Sequence, residues 1–159
     1  LSGKTITSRA EAKSEILALV DWQIENYQSY HDTSAEDTKE RLFKKYYGYD
    51  KVSVTANAAD LDIISELQKG NLIIAPMNGQ LLNNPSFTQP GPERHMVVIK
   101  GYDPVKSDFI TNDPGISQGE NYRYPVDVLL NAIRDYPTGD HLPINGIDKA
   151  IIVVEKASI

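Results

Sequence analysis

The sequence predicts an α+β domain, and three observations carry that expectation. Capped segments with helical spacing of apolar residues fill most of the first seventy positions and return near Pro125. Short apolar runs of strand length, bounded by turn residues, lie at 51–55, 71–76 and 150–154. Two further runs, 95–102 and 108–113, are joined by Asp103-Pro-Val-Lys-Ser107, whose turn chemistry makes them a hairpin. At 159 residues the chain is a single domain, 1–159, with no internal repeat or low-complexity stretch.

Taken in order, Ser8 with Glu11 forms a capping box that opens a first helix. Ala12, Ile16, Leu19, Val20, Gln23 and Ile24 recur at helical spacing along it, Trp22 lies on or beside that stripe, and the helix ends near Tyr27. A second helix follows the polar loop 31–34, with Thr33 and Glu36 as its capping box and Gly48 as a left-handed stop. Residues 51–55 alternate as a strand with Val52 and Val54 on one face. Asn57 with Asp60 caps a third helix that turns Leu61, Ile64 and Leu67 inward and closes at Lys69 and Gly70. The run 71–76 is a buried strand terminated by Pro76.

Beyond the hairpin, Glu120 to Tyr124 forms a short strand with its tyrosines on one face. Pro125 then stands in the first turn of a fourth helix through Val128, Leu129, Ala132 and Ile133, where its missing N–H costs little. Residues 137–145 are loop, and 150–154 is a buried strand that returns to the sheet.

The hairpin holds the candidate chemistry. A turn centred on Pro104 or Val105 sets His95 opposite Asp113 or two residues diagonal to it, and directly opposed Cβ atoms are roughly 4.5–5.5 Å apart. A His oriented by an Asp is the base half of a nucleophilic triad: the carboxylate fixes the tautomer and stabilises the imidazolium. No nucleophile accompanies the pair, because the chain has no cysteine and Ser2, Ser8 and Ser14 lie in no nucleophile-elbow setting. The loop 77–94, rich in Asn, Pro and Gly, ends one residue before His95 and reads as a rim or lid of a substrate cleft. Within it Gly79, Gln80, Asn83 and Asn84 offer amides suited to an extended peptide.

Composition excludes other classes. A net charge of −6 and a pI near 5.0 argue against a nucleic-acid partner. The densest basic cluster, Lys39, Arg41, Lys44 and Lys45, is interleaved with Glu36, Asp37 and Glu40 as a solvated helix face. No apolar run reaches the roughly 18 residues of a membrane span. Histidines at 31, 95 and 141 show none of the zinc spacings, so neither metal nor cofactor is expected.

Three stretches carry a family likeness: Gly70-Asn-Leu-Ile-Ile-Ala-Pro-Met-Asn-Gly-Gln-Leu-Leu-Asn-Asn-Pro85, Pro90-Gly-Pro-Glu-Arg-His-Met-Val-Val-Ile-Lys-Gly-Tyr102 and Phe109-Ile-Thr-Asn-Asp-Pro-Gly115. They resemble the C39-like peptidases of bacteria, with a weaker likeness from about Thr5 through Asp135. The resemblance implies a papain-like cysteine-protease fold, an antiparallel sheet packed with helices, and a triad of Cys, a His opening a strand and an Asp in a following Asp-Pro. The last two fall on His95 and Asp113. The family's Cys, preceded by an oxyanion Gln, sits on a helix upstream of the segment resembling Leu1 to Glu15. The chain is therefore expected to lack the nucleophile helix and to be inactive as given, while its family hydrolyses peptide or protein substrates, in bacteria often outside the membrane. Two other readings stay open, a non-catalytic peptide-binding module and a hairpin in which His95 and Asp113 serve structure alone.

Overall fold

The structure is a computed structural model that describes residues 5–156. Helix α1 (Arg9–Tyr27) starts where the Ser8 hydroxyl accepts the Glu11 N–H at 3.1 Å and the Glu11 carboxylate accepts the Thr7 N–H, and Gln28 closes it at φ 58°. Its stripe is split. Trp22 meets Tyr46 at 5.3 Å between ring centroids and Gln23 is buried, whereas Ile16 and Ile24 face outward. Packed chiefly on one other helix, α1 has only one side of its apolar band covered.

Helix α2 opens as Ala35–Asp37 and continues with π-type winding over Thr38–Tyr46, with the Tyr47 N–H reaching the Leu42 carbonyl. Its cap is one residue later than the expected Thr33–Glu36 box. The Ser34 hydroxyl accepts the Asp37 N–H, while the Thr33 hydroxyl pairs with that of Thr38. Gly48, at φ 63°, stops the helix as anticipated.

Helix α3 (Asp60–Gln68) begins at Ala59, whose N–H donates to the Asp62 carboxylate at 2.8 Å; Asn57 turns ahead of it at φ 53° and does not cap it. Leu61 is not inward, being 72% exposed, and Ile63 takes the buried place at 0%. Ile63, Ile64 and Leu67 form the inward stripe. At 3.6 residues per turn Leu61 lies roughly 110° around from its centre. Ile63→Val is accordingly expected to cost about 1 kcal/mol and Leu61→Ala less than about 0.5 kcal/mol in urea unfolding. The reverse order would mean that α3 is rotated.

Strands β1 (Val52–Ala56), β2 (Leu72–Met77), β3 (His95–Asp103), β4 (Asp108–Asn112), β5 (Glu120–Pro125) and β6 (Ala150–Val154) make one antiparallel sheet in the order β1-β6-β2-β3-β4-β5. The last strand thus inserts between the first two, and all five of its residues are buried. Alternation along it feeds two cores. Ile151 and Val153 join Ile63, Val97, Phe109 and Leu129 beneath α3 and α4 (Val126–Ala132), while Ile152 and Val154 join Phe43 and Val52 beneath α2. Pro125 stands one residue before α4, as its cap. The α+β class and the antiparallel sheet packed with helices are therefore the observed architecture.

The β3–β4 hairpin turns between the paired Asp103 and Asp108, and its register shifts between Ile99 and Gly101. Continued past Asn112, the Ile99–Thr111 register sets Gly115 across from His95 and Val97 across from Asp113. His95 and Asp113 are diagonal neighbours, the second of the two arrangements the turn allowed.

Candidate active site

His95 is the first residue of β3, paired with Met77 at the end of β2. By alternation it shares a face with Val97 and Ile99, as Asp113 does with Phe109 and Thr111, so both side chains look to the α3/α4 side of the sheet. There His95 Nε2 meets Asp113 Oδ1 at 2.8 Å, with 9% of the His side chain and none of the Asp side chain exposed.

Asp113 is the centre of the arrangement. The Gly115 N–H donates to Oδ1 at 2.8 Å, and the Tyr124 O–H donates to Oδ2 at 2.6 Å. Behind it, the Asn84 amide N–H donates to the Tyr124 oxygen at 2.6 Å, and Asn84 Oδ1 accepts the Ser86 N–H at 2.9 Å, which fixes the orientation of that amide. Burial alone would raise the Asp113 carboxyl. The donors from His95, Tyr124 and Gly115 outweigh it and hold the group below the usual carboxylate range. Burial, then the hydrogen bond to Asp113, push the Tyr124 hydroxyl far above its ordinary value, so it stays a donor at every working pH. An ionised carboxylate only accepts, so Nε2 carries the imidazole hydrogen and Nδ1 is the nitrogen left for a proton transfer.

Close packing fixes the ring. Phe87 meets it edge-on, 5.4 Å between centroids at 83°. A Cβ at Gly115 would lie 2.9 Å from His95 Cε1, and one at Gly79 would lie 3.2 Å from His95 Cβ and 2.7 Å from Pro92 Cγ. One residue upstream, Arg94 has its side chain 8% exposed, with Nε 3.2 Å from Asp32 and Nη2 donating to the Leu142 carbonyl, so the loops 31–34 and 137–145 are tied to the start of β3.

The loop residues expected to bind peptide divide. Gln80 and Asn83 are exposed, on and just after the 3-10 turn Gly79–Leu82. Gly79 is buried under Pro92, and Asn84, 2% exposed, has its amide engaged by Tyr124 and Ser86; neither presents a side chain to a ligand. Ser8 caps α1, Ser14 lies exposed along it, and Ser2 falls outside the described residues. His31 stacks on Tyr30, and His141 pairs with Asp140 at 2.8 Å. Among the described residues no group of three His, Cys, Asp or Glu is placed to hold a metal, and no helix is long and apolar enough to cross a membrane.

Tyr124 and Gly115 join the site without being among the residues the sequence points to. The signal for Tyr124 was present, since Tyr122 and Tyr124 alternate with Asn121 and Arg123, and a tyrosine buried by its strand needs a polar partner for its hydroxyl.

Comparison with known proteins agrees with this picture. No curated protein matches the sequence. A crystal structure from Bacillus anthracis, assigned as a C39-like peptidase, superposes with a TM-score of 0.51 at 16% identity, over 84% of this chain and 65% of that one. At that identity the likeness speaks for the fold, and this chain spans less than two thirds of that protein's length. The model of the Peptidase_C39 like family matches residues 8–137, most of the chain. With its hairpin, its six-stranded sheet and its buried His–Asp pair, the chain belongs to the Peptidase_C39 like family.

Proposed function

We propose that this chain is the base-and-orienter part of a cysteine-type peptidase, acting through a Cys-His-Asp triad whose thiol comes from residues outside these 159. The observation that carries the reading is the 2.8 Å contact between His95 Nε2 and Asp113 Oδ1 in a chain of a peptidase family. In this reading the incoming thiol gives its proton to His95 Nδ1, and the thiolate attacks the peptide carbonyl. The imidazolium, stabilised by Asp113, protonates the leaving amine, and water then releases the acyl group. The exposed Gln80 and Asn83 contact an extended peptide, and the loop 77–94 forms the rim beside His95.

The absence of cysteine from the chain favours a second reading, a module that holds a peptide without cutting it. One experiment separates them. The 159-residue chain and a polypeptide joining it to its own upstream segment are incubated with a mixed peptide library, with and without iodoacetamide. The expected result is no cleavage by the chain alone and alkylation-sensitive cleavage by the joined protein. Peptide binding by the joined protein that survives alkylation, with no cleavage, would replace the first reading by the second.

A further inference from the structure

We propose that Tyr124 and Asn84 are positioning residues that lock the Asp113 carboxylate with Oδ1 turned to His95; the inference rests on reading His95 and Asp113 as base and orienter. The two carboxylate oxygens are made different by what they accept. Oδ1 takes two N–H donors, from His95 and Gly115, and Oδ2 takes the Tyr124 O–H. Rotating the carboxylate would break all three bonds, so its plane is fixed by donors from three places: β3, the turn after β4, and β5. Asn84 acts one step back. Its N–H, donated to the Tyr124 oxygen, polarises the hydroxyl and leaves that hydroxyl's own hydrogen free for Asp113 alone.

Packing alone does not explain this arrangement. Tyr124 is 2% exposed and Asn84 2%, and Asn84 lies in the loop 77–94 that leads directly into His95. The relay therefore joins that loop, β5 and the turn carrying Asp113 around one buried charge. The groups facing that carboxylate are His95, Tyr124 and the Gly115 N–H, with Tyr122 beside Tyr124. A mutually polarised chain of this kind holds its terminal acceptor more firmly than any single donor would.

The test uses NMR on the 159-residue chain, which needs no nucleophile. Tyr124→Phe keeps the ring and removes the donor. The Asp113 carboxyl titration is expected to move up, toward the ordinary carboxylate range, and the His95 Nε2 hydrogen to exchange at least about tenfold faster. Asn84→Ala should shift both in the same directions by less. The double variant should go no further than Tyr124→Phe, because Asn84 works through that hydroxyl. Unmoved Asp113 titration and His95 exchange in a folded Tyr124→Phe chain, or additive effects in the double variant, overturn the proposal. Should Tyr124→Phe not fold, Asn84→Ala decides by the same two readouts. Absence of cleavage by the joined protein with the relay intact would count against the peptidase reading alone.

Discussion

Replacing Gly119 by Ala is expected to lower stability by about 3 kcal/mol or more in urea unfolding, beyond the ordinary cost of one added methyl in a packed site. A Cβ there would lie 1.8 Å from the Asp113 carbonyl oxygen and 2.8 Å from its carbon. Both atoms are backbone, so no side-chain rotation relieves the overlap. The same segment is closed by the Asp113 N–H donating to the Gly119 carbonyl at 2.9 Å and the Gly119 N–H donating to the Ile116 carbonyl at 3.2 Å. Opening it would pull Asp113 from His95 and strain a β4–β5 register that already slips between Thr111 and Asn112. Gly115→Ala makes the contrast. Its Cβ would press on the His95 and Phe87 rings and on Asp113 Oδ1, all side-chain atoms and none closer than 2.9 Å, so it should cost less stability than Gly119→Ala while forcing the imidazole out of its packed position. Gly119→Ala within about 1 kcal/mol of the parent would mean that the turn is far looser than its geometry.

The Gly119 case also marks how far the sequence could be read. Turn residues and apolar runs located the hairpin, and the two candidate side chains fell on it, because both signals are local. Which of two registers joined them depended on the shift between Ile99 and Gly101, and nothing in the Lys100 side chain announces that extra residue. Nothing in the sequence singles out Gly119, since its demand is steric closeness to a backbone six positions earlier rather than a left-handed φ. Leu61 and Ile63 were exchanged because the four apolar residues of α3, Leu61, Ile63, Ile64 and Leu67, fit two adjacent stripes, and only the sheet beneath selects one. Asn84 looked like a surface amide because a loop without period gives no inward or outward sense; its burial follows from Tyr124, forty positions away.

Asp113→Asn should have the largest effect on chemistry. In the polypeptide that joins this chain to its upstream segment, kcat/KM for peptide cleavage is expected to fall by about 10³- to 10⁴-fold. The amide can still accept from His95 and Gly115 at Oδ1. It leaves the Tyr124 hydroxyl facing an N–H₂ that cannot accept, and it removes the charge that stabilises the imidazolium. Stability should drop as well, by about 1–3 kcal/mol for a buried donor left unpaired. The acid side of the stability profile separates the two roles. Because donors hold the Asp113 carboxyl below its ordinary value, its contribution is complete above the usual carboxylate range and is lost as pH falls through the depressed value. Asp113→Asn should erase that acid-side loss and sit lower at neutral pH. If the variant showed the altered pH profile and kept full cleavage, His95 and Asp113 would be a lock for the hairpin, and the base would have to be sought elsewhere. If cleavage collapsed while the unfolding midpoint moved only by the cost of one orphaned hydroxyl, the carboxylate would be acting on the imidazole during the reaction, as the proposed triad has it and as the 2.8 Å contact allows.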